Sequence, residues 1–400
     1  MHTRQHNVND PTNDWKRVLD SHRLPEPVYV TKPTMPDLGR YTQELERLWK
    51  TGWLTNQGCM HQDLERRLEQ HLGVENLSLF CNGTIALLVA LQSLRINGGE
   101  VITTPFTFAA TPHVLHWNGV TPVFADIDPG TYNLDPARIE QHIGSNTRAI
   151  LAVHVYGTPC DVDAIQTIAD RHGLAVVYDA AHAFGVRYKG QSILRYGNAS
   201  VLSFHATKLY TTIEGGAVVA SSPQHKERVD FLKNFGIADE ETVIGPGING
   251  KLNEFQAAFG LLQLETVDQE IAQRAAIARL YRERLATLPG IALLPHSKDF
   301  TPNHSYFPIL IDEAQFGISR DALHQALRDC NIVTRKYFHP LCSHYPCYAA
   351  LPSARPENLP VAERVAERIL CLPIFGSLPP ETVGAVCDVI EAIHNAAVAS

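Results

Sequence analysis

A lysine and an aspartate of this chain occupy positions from which they could act on a bound ligand. Lys208 lies in SFHATKLYTTIEGGAVV, between an apolar run and a Gly-Gly pair, and Asp179 follows the apolar run of LAVVYDAA. A loop lysine on its own is usually a solvated surface charge. A carboxylate at the end of a buried strand is costly to bury without a cation or a hydrogen-bond donor. The two residues together indicate a ligand site at the carboxyl ends of strands, where open α/β sheets bind ligands.

Two further motifs favour a ligand that carries a phosphate and a flat ring. In CNGTIALLVALQ, a turn at Gly83 follows a strand and precedes a helix, whose free N–H groups and dipole attract a phosphate. In TTPFTFAAT, Phe106 and Phe108 follow another strand, where a ring could cover an aromatic ligand or pack in the core. With Lys208 and Asp179, these motifs predict pyridoxal phosphate, which bonds to a lysine as a Schiff base and places its ring nitrogen on an aspartate.

Short apolar runs alternate with helical patterns from residue 76 onward. The runs are rich in Val, Ile, Leu and Ala, as expected for strands that helices cover on both faces. The predicted strands are 76–82, 100–105, 121–127, 147–156, 174–181 and 199–206. The predicted helices between them are 83–94, 107–117, 135–143 and 161–173. This alternation is typical of an α/β fold in which a mixed, mostly parallel sheet is flanked by helices.

The length of the chain favours two domains, because a single core stops growing at about 250–300 residues and this chain has 400. An amphipathic helix at 61–73 should pack on the first domain, and a long helical stretch at 264–288 should lead into the second. We predict a large domain over 28–270 and a smaller α+β domain over 271–400. The polar residues 1–27 are predicted to form an arm that could be flexible.

The composition limits the classes of partner. The 34 basic and 42 acidic side chains give a formal net charge of −8, which disfavours nucleic acid. No apolar run approaches the roughly 20 residues of a membrane-spanning helix, and residues 1–27 lack the apolar middle of a signal peptide. Eight cysteines spread through a long chain indicate reduced thiols, so we expect a cytoplasmic protein without a membrane partner.

Four potential zinc ligands lie close together in HPLCSHYPC, which begins at His339. Structural zinc sites usually pair two ligand loops that are about a dozen or more residues apart. One short loop with two prolines is poorly suited to surround a metal, and we expect none here.

Several motifs, in order along the chain, resemble the DegT/DnrJ/EryC1/StrS family. They are GWLTNQG, NGTIAL, TPFTF, DAAHAFG, SFHATK followed by EGG, GINGKLNEFQAAFGLLQLE and LCLPIFGSL. The resemblance extends from about Val28 to the C-terminus. It implies a fold-type I, pyridoxal phosphate-dependent transferase that aminates nucleotide-linked keto sugars.

The resemblance also implies roles for individual residues. Lys208 would bond to the cofactor, Asp179 would hold the pyridine nitrogen, and His182 would lie near the cofactor hydroxyl. The other expected cofactor contacts are Gly83, Thr84, Phe108, Ser203 and, from the neighbouring subunit, Asn249. The expected residues of the sugar pocket are Thr55, Asn56, Tyr337 and His339. A contact by Asn249 across subunits implies a homodimer with active sites at the subunit interface.

The reaction implied by the resemblance has two halves. We expect L-glutamate to give its amino group to the cofactor and a nucleotide-linked 4-keto-6-deoxyhexose then to accept it, in a ping-pong sequence. The preferred acceptor is dTDP-4-keto-6-deoxyglucose, which would become the 4-amino-4,6-dideoxy sugar for polysaccharide or O-antigen synthesis. A 3-keto sugar, or a UDP- or GDP-linked sugar, is the alternative within the family.

Three other functions are compatible with the fold. A dehydratase of the same fold has histidine in place of the lysine, and Lys208 argues against it. A regulatory or binding protein that had lost catalysis would be expected to lose Lys208 or Asp179, and both are present. An amino-acid transaminase normally needs an arginine fork for a second carboxylate, which the sequence neither places nor excludes.

Overall fold

The computed structural model describes residues 19, 21–295 and 298–399. The strands are β1 (Leu77–Phe80), β2 (Glu100–Thr103), β3 (Thr121–Phe124), β4 (Thr147–Val153), β5 (Ala175–Asp179), β6 (Arg187–Tyr188), β7 (Gln191–Ser192), β8 (Ala199–Ser203), β9 (Gly216–Ala220), β10 (Ile291–Leu293), β11 (Phe300–Thr301), β12 (Phe307–Ile311) and β13 (Ile369–Leu372). The α-helices are α1 (Leu38–Thr51), α2 (Cys59–Leu72), α3 (Gly83–Ser93), α4 (Ala110–Trp117), α5 (Val162–His172), α6 (Pro223–Leu232), α7 (Glu254–Leu264), α8 (Val267–Leu285), α9 (Glu313–Phe316), α10 (Arg320–Asp329), α11 (Pro360–Arg368) and α12 (Pro380–Val398).

A seven-stranded sheet, in the order β1-β9-β8-β5-β4-β2-β3, forms the centre of the larger part of the molecule. The neighbours from β3 through β2, β4 and β5 to β8 run parallel. Strand β9 runs antiparallel to both β8 and β1. The prediction of an α/β fold with a mixed, mostly parallel sheet is confirmed.

The six apolar runs of the sequence all form strands of this sheet, namely β1, β2, β3, β4, β5 and β8. The helical prediction for 135–143 is wrong, because this segment forms two short 3₁₀ turns at Pro136–Arg138 and Glu140–His142. Bonds from each N–H to the carbonyl three residues back close both turns, and between them only Ile139 is buried in the core. Since one side chain and not a full helical face needs burial, two turns are sufficient.

The sheet brings the motifs of the sequence to one edge. Strands β5 and β8 are parallel neighbours in which Asp179 pairs with Val201, so Asp179 and Ser203 both lie at the carboxyl edge. Lys208 lies in the connection from β8 to β9, and Gly216 at the start of β9 pairs with Ser203. A Cβ atom on Gly216 would come within 2.7 Å of the Gly83 nitrogen. The absence of a side chain at Gly216 therefore lets the start of helix α3 approach strand β9, which follows Lys208 along the chain.

A second core surrounds the three-stranded antiparallel sheet β10-β12-β13. Helix α8 links the two cores, because Val267 packs in the first and Ile277 in the second. The segment before α1 also contacts this smaller part, since Val28 forms a bridge to Ile332 and the Leu24 N–H donates to the Cys330 carbonyl at 3.1 Å. The bounds 28–270 and 271–400 stay a prediction.

The predicted arm lies largely outside the described residues, which begin at residues 19 and 21. Of its last residues, Leu19 and Leu24 pack against the second core. The described part of the arm thus contacts the smaller domain.

Across the described ranges, no helix is long and apolar enough to cross a membrane. The same ranges contain no group of three or more His, Cys, Asp or Glu side chains that could hold a metal ion. In the HPLCSHYPC segment, the Cys342 thiol donates to the Thr107 carbonyl at 3.2 Å, while His344 pairs with Glu363 at 2.7 Å. These two side chains therefore have different partners.

Candidate active site

A cavity of about 280 Å³ lies at the carboxyl edge of the large sheet. It brings together eight of the residues singled out from the sequence: Gly83, Thr84, Phe108, Asp179, His182, Ser203, Lys208 and Tyr337. The strands β5 and β8, the N-terminus of helix α3 and the small domain all contribute to its wall. The site thus lies where parallel strands end, as the sequence predicts.

Asp179 ends strand β5, and 5% of its surface is exposed. Its carboxylate accepts hydrogen bonds from Thr111 Oγ1 at 2.8 Å and from the Ala181 N–H at 3.1 Å. Burial raises the pKa of Asp179, while these two donors and the nearby Lys208 favour the charged form. Asp179 is therefore a buried carboxylate that lines the cavity, with each oxygen already accepting one hydrogen bond, Oδ2 from Thr111 and Oδ1 from Ala181.

Lys208 points into the same cavity from the connection between β8 and β9. Its Nζ donates to the Tyr306 hydroxyl at 3.4 Å. Burial lowers the pKa of Lys208, and the attraction of Asp179 opposes this shift. A buried amine with a lowered pKa loses its proton more readily than a surface lysine, and this favours attack on a carbonyl carbon.

His182 is held as a neutral ring. The Tyr156 N–H donates to His182 Nδ1 at 3.2 Å, so the ring proton of the neutral form is on Nε2. Burial lowers the pKa of His182 well below its usual value, and the Lys208 charge lowers it further. The ring is stacked on Phe338 with centroids 5.8 Å apart and planes at 5°.

The N-terminus of helix α3 forms one end of the cavity. The Asn82 side chain accepts from the Ile85 N–H at 2.8 Å and caps the helix, which begins at Gly83. A Cβ atom on Gly83 would come within 2.8 Å of the Ser203 Cβ. The helix N-terminus therefore lies directly beside the Ser203 side chain, and free N–H groups and a hydroxyl together are suited to bind an anion.

The two phenylalanines of TTPFTFAAT have different environments. Phe106 is fully buried and makes edge contacts with Tyr132, Tyr156 and Phe338. Phe108 is 60% exposed and lines the cavity. Phe108 is thus available to stack on a ligand, whereas Phe106 belongs to the core.

Four residues expected at the site do not line this cavity: Thr55, Asn56, Asn249 and His339. All four are exposed. Asn249 lies in the segment before helix α7 and forms an isolated antiparallel β-bridge with Asn234. Their assigned roles stay predictions, and that of Asn249 concerns the neighbouring subunit.

Among the residues at the site that sequence reasoning does not single out are Thr111, Tyr306 and Phe338. Thr111 is the last residue of TTPFTFAAT, but only the fold shows that its hydroxyl donates to Asp179. Tyr306 and Phe338 come from the small domain, and both line the cavity. The only signal for Tyr306 is its place directly before the apolar run FPILI.

The residues of the cavity fit pyridoxal phosphate. The cradle at Gly83, Thr84 and Ser203 suits the phosphate, Phe108 suits the ring face, and Asp179 suits the ring nitrogen. Lys208, whose pKa is lowered by burial, is in the same cavity and suits the Schiff base.

Comparisons with known proteins agree with this geometry. A dTDP-4-amino-4,6-dideoxy-D-glucose transaminase of Escherichia coli is 51% identical over 357 residues, which are 88% of this chain and 95% of that protein. A protein of the same name from Shigella dysenteriae is 46% identical over 370 residues, which are 92% of this chain and 100% of that protein. The crystal structure of DesI in the presence of its TDP-sugar product matches with a TM-score of 0.89 at 37% identity, covering 94% of this chain and 96% of that chain.

A sequence profile of the DegT/DnrJ/EryC1/StrS aminotransferase family matches residues 39–391. The match spans the large sheet, the cavity and most of the small domain. Aminotransferases of this family depend on pyridoxal phosphate. The chain belongs to the DegT/DnrJ/EryC1/StrS aminotransferase family.

Proposed function

We propose that the protein transfers the amino group of L-glutamate to C4 of dTDP-4-keto-6-deoxyglucose and forms the 4-amino-4,6-dideoxy sugar. The observation that carries the proposal is the meeting of Lys208, Asp179 and the Gly83–Ser203 cradle in one cavity. The choice of sugar is supported by the name of the Escherichia coli relative, which is 51% identical over most of both chains.

Each residue of the cavity has a distinct part in this reaction. Bound pyridoxal phosphate supplies an electron-withdrawing ring that makes the α-C–H bond of an attached amine acidic. The Asp179 carboxylate keeps a proton on the ring nitrogen. The Lys208 amine, whose pKa is lowered by burial, takes the proton from the α-carbon of the amino acid and delivers it to the C4′ carbon of the cofactor.

The cradle and the exposed ring keep the reacting atoms in place. Gly83, Thr84 and Ser203 bind the phosphate, and Phe108 covers one face of the ring. His182, with its proton on Nε2, is suited to donate to the oxygen on the cofactor ring. Tyr337 lies at the small-domain wall of the cavity, where we place the sugar. Thr55, Asn56 and His339 lie outside the cavity lining, and we propose that they also contact the sugar nucleotide.

We further propose a homodimer in which Asn249 contacts the phosphate in the partner's site. The loop that leads to Asn249 exposes large apolar side chains, with Val243 at 66% and Ile244 at 58% exposed. Such a patch on a folded protein supports a contact with another chain. We place the enzyme in the cytoplasm, as expected from the sequence, and its product in polysaccharide synthesis, as the family resemblance implies.

The reaction is tested with ¹⁵N-labelled L-glutamate and a panel of keto sugars. The panel holds dTDP-4-keto-6-deoxyglucose, its 3-keto isomer and the UDP- and GDP-linked 4-keto sugars. We expect the highest kcat/KM for the first, with ¹⁵N bonded to C4 by NMR and parallel double-reciprocal plots. Preferred amination of the 3-keto isomer, or of another nucleotide sugar, would contradict the proposed substrate, and no amination of any sugar would contradict the function.

The dimer is tested by mixing two variants that we each expect to be inactive alone, Lys208→Ala and Asn249→Ala. If each site uses Lys208 of one subunit and Asn249 of the other, each mixed dimer has one intact site. Random exchange then restores about a quarter of the wild-type activity. Light scattering should give twice the 44.3 kDa of one chain. A mixture that stays inactive despite proven subunit exchange would show that both residues serve the same subunit's site.

A further inference from the structure

The hydroxyl of Tyr306 lies beside the amine that does the chemistry. Tyr306 directly precedes strand β12 of the small domain, and its hydroxyl is 3.4 Å from Lys208 Nζ. Its ring contacts His182 with centroids 4.7 Å apart and Tyr337 with centroids 5.8 Å apart. The contact to Lys208 therefore joins the small domain to the connection between strands β8 and β9 of the large domain.

A buried asparagine side chain holds the segment directly before Tyr306 in place. Asn303 is 2% exposed, and its side-chain nitrogen donates to the carbonyls of His182 at 2.8 Å and Phe184 at 2.9 Å. Its side-chain oxygen accepts from the Ser305 N–H at 3.1 Å. One side chain thus ties the residue before Tyr306 to the loop that holds His182.

An arginine of a buried salt bridge contacts the same segment before strand β12. Arg274 is 2% exposed and pairs with Glu270 at 2.7 Å. Its guanidinium also donates to the Ser305 carbonyl at 3.4 Å and to the Ile374 carbonyl at 3.1 Å. The backbone of Ser305, directly before Tyr306, is therefore held at its N–H by Asn303 and at its carbonyl by Arg274, while the contacts of the Tyr306 ring with His182 and Tyr337 limit where its hydroxyl lies.

We propose that Tyr306 is a positioning residue for Lys208: its hydroxyl oxygen accepts an N–H of the lysine amine when that amine is not bonded to the cofactor, and Asn303 sets the place of Tyr306. This inference rests on the proposed function, in which Lys208 moves the substrate proton. An amine that donates one N–H to Tyr306 keeps its lone pair free for that proton. The hydrogen bond also limits the rotation of a long side chain that has four rotatable bonds.

The inference is tested with Tyr306→Phe, which removes the hydroxyl and keeps the ring contacts. Tyr281→Phe is the matched control, because Tyr281 also packs in the small domain, against Phe307, and donates to the Pro373 carbonyl at 3.0 Å. Its hydroxyl thus serves the fold of the small domain and has no bond to Lys208.

The first readout is the reactivity of Lys208 in the full-length chain without added cofactor. Trace labelling with acetic anhydride from pH 6 to 11, followed by mass spectrometry of the Lys208 peptide, gives the pKa of the amine. Asp179, His182 and Tyr337 also act on this amine, and Tyr306→Phe leaves all three in place. Because the hydroxyl oxygen stabilises the charged amine, its loss should lower the pKa of Lys208 by about half to one pH unit.

The second readout is the half-reaction of the holoenzyme with L-glutamate, followed by stopped-flow absorption. Tyr306→Phe should slow the first-order step by roughly tenfold and leave the glutamate concentration at half-saturation unchanged. Asn303→Ala should shift the pKa of Lys208 in the same direction. Tyr281→Phe should change neither readout.

Equal titration of Lys208 in wild type, Tyr306→Phe and Tyr281→Phe would overturn the inference. So would an unchanged half-reaction rate in Tyr306→Phe. A failure of the proposed function is separate, because the wild-type holoenzyme itself would then not react with glutamate or would not aminate a sugar.

Discussion

The Asp179 carboxylate and the Thr111 hydroxyl are joined by a hydrogen bond of 2.8 Å that links the end of strand β5 to the first turn of helix α4. Thr111 Oγ1 is in turn 2.8 Å from Thr107 Oγ1. The Thr111 hydroxyl donates to Oδ2 of the carboxylate and so favours the charged form of Asp179, whereas burial disfavours it. While burial raises the pKa of the Asp179 carboxyl group, which we propose as the partner of the ring nitrogen, Thr111 thus lowers this pKa and helps to orient the group.

The first prediction concerns Thr111→Val, which keeps the shape of the side chain and removes the hydroxyl. Burial already raises the pKa of Asp179, and the loss of a donor to its carboxylate should raise it further. In the proposed mechanism the carboxylate form of Asp179 is the active one, so the acid limb of the kcat/KM profile should move to higher pH by about half to one unit.

The matched control for this prediction is Thr103→Val. Thr103 is buried at the end of strand β2 and donates to the Leu151 carbonyl at 2.8 Å, without a contact to Asp179. Its loss should lower the melting temperature and leave the acid limb in place. An acid limb that moves equally in both variants would contradict the assigned role of Thr111.

The second prediction separates the two phenylalanines. Phe106→Ala removes a fully buried ring and should lower the free energy of unfolding by about 3–5 kcal/mol. Phe108→Ala removes a ring that is 60% exposed, so stability should change little, while cofactor affinity should fall by roughly tenfold because a stacking contact is lost.

Urea unfolding of the cofactor-free protein and absorption titration with pyridoxal phosphate measure these two effects. Equal cofactor affinity in wild type and Phe108→Ala would show that this ring does not cover the cofactor. A Phe106→Ala variant as stable as the wild type would contradict its place in the core.

The third prediction concerns the cradle at the start of helix α3. A Cβ atom on Gly83 would lie 2.8 Å from the Ser203 Cβ and 3.1 Å from its Cα, so the helix N-terminus must move away from strand β8. Gly83→Ala should therefore weaken the binding of pyridoxal phosphate by at least roughly tenfold, since the N–H groups that we propose as phosphate ligands would be displaced.

Gly144→Ala provides the comparison, because no atom lies within 4 Å of its added Cβ and its φ is not in the left-handed region. Its cofactor affinity should equal that of the wild type. Unchanged affinity in Gly83→Ala would contradict a phosphate site at this helix.

Much of the large domain can be predicted because buried parallel strands have a strong sequence signal. Asp179 ends a run of apolar residues, so both the strand and the unusual carboxylate are visible in the sequence. The segment 135–143 was predicted wrongly because its spacing satisfies a helix, whereas only Ile139 is buried in two short turns.

The small-domain side of the site could not be predicted in the same way. Tyr306 is 98 residues from Lys208 along the chain, and their contact depends on how the two domains meet. Thr111 ends the TTPFTFAAT motif, but whether its hydroxyl faces Asp179 depends on the exact start of helix α4. Asn249 is predicted to act in another subunit, so one chain cannot bring it to the cavity.

The central claim is that Lys208 is the residue that bonds to pyridoxal phosphate. The most direct test is reduction of the holoenzyme with sodium borohydride, which makes the bond permanent, followed by digestion and mass spectrometry of the peptides. Lys233 is an internal comparison, because it is a buried lysine that does not line the cavity. Its amine pairs with the Asp230 carboxylate at 2.6 Å. We predict the reduced cofactor on Lys208 and on no other lysine, and a label on a different lysine, or no label in an active holoenzyme, would contradict the account.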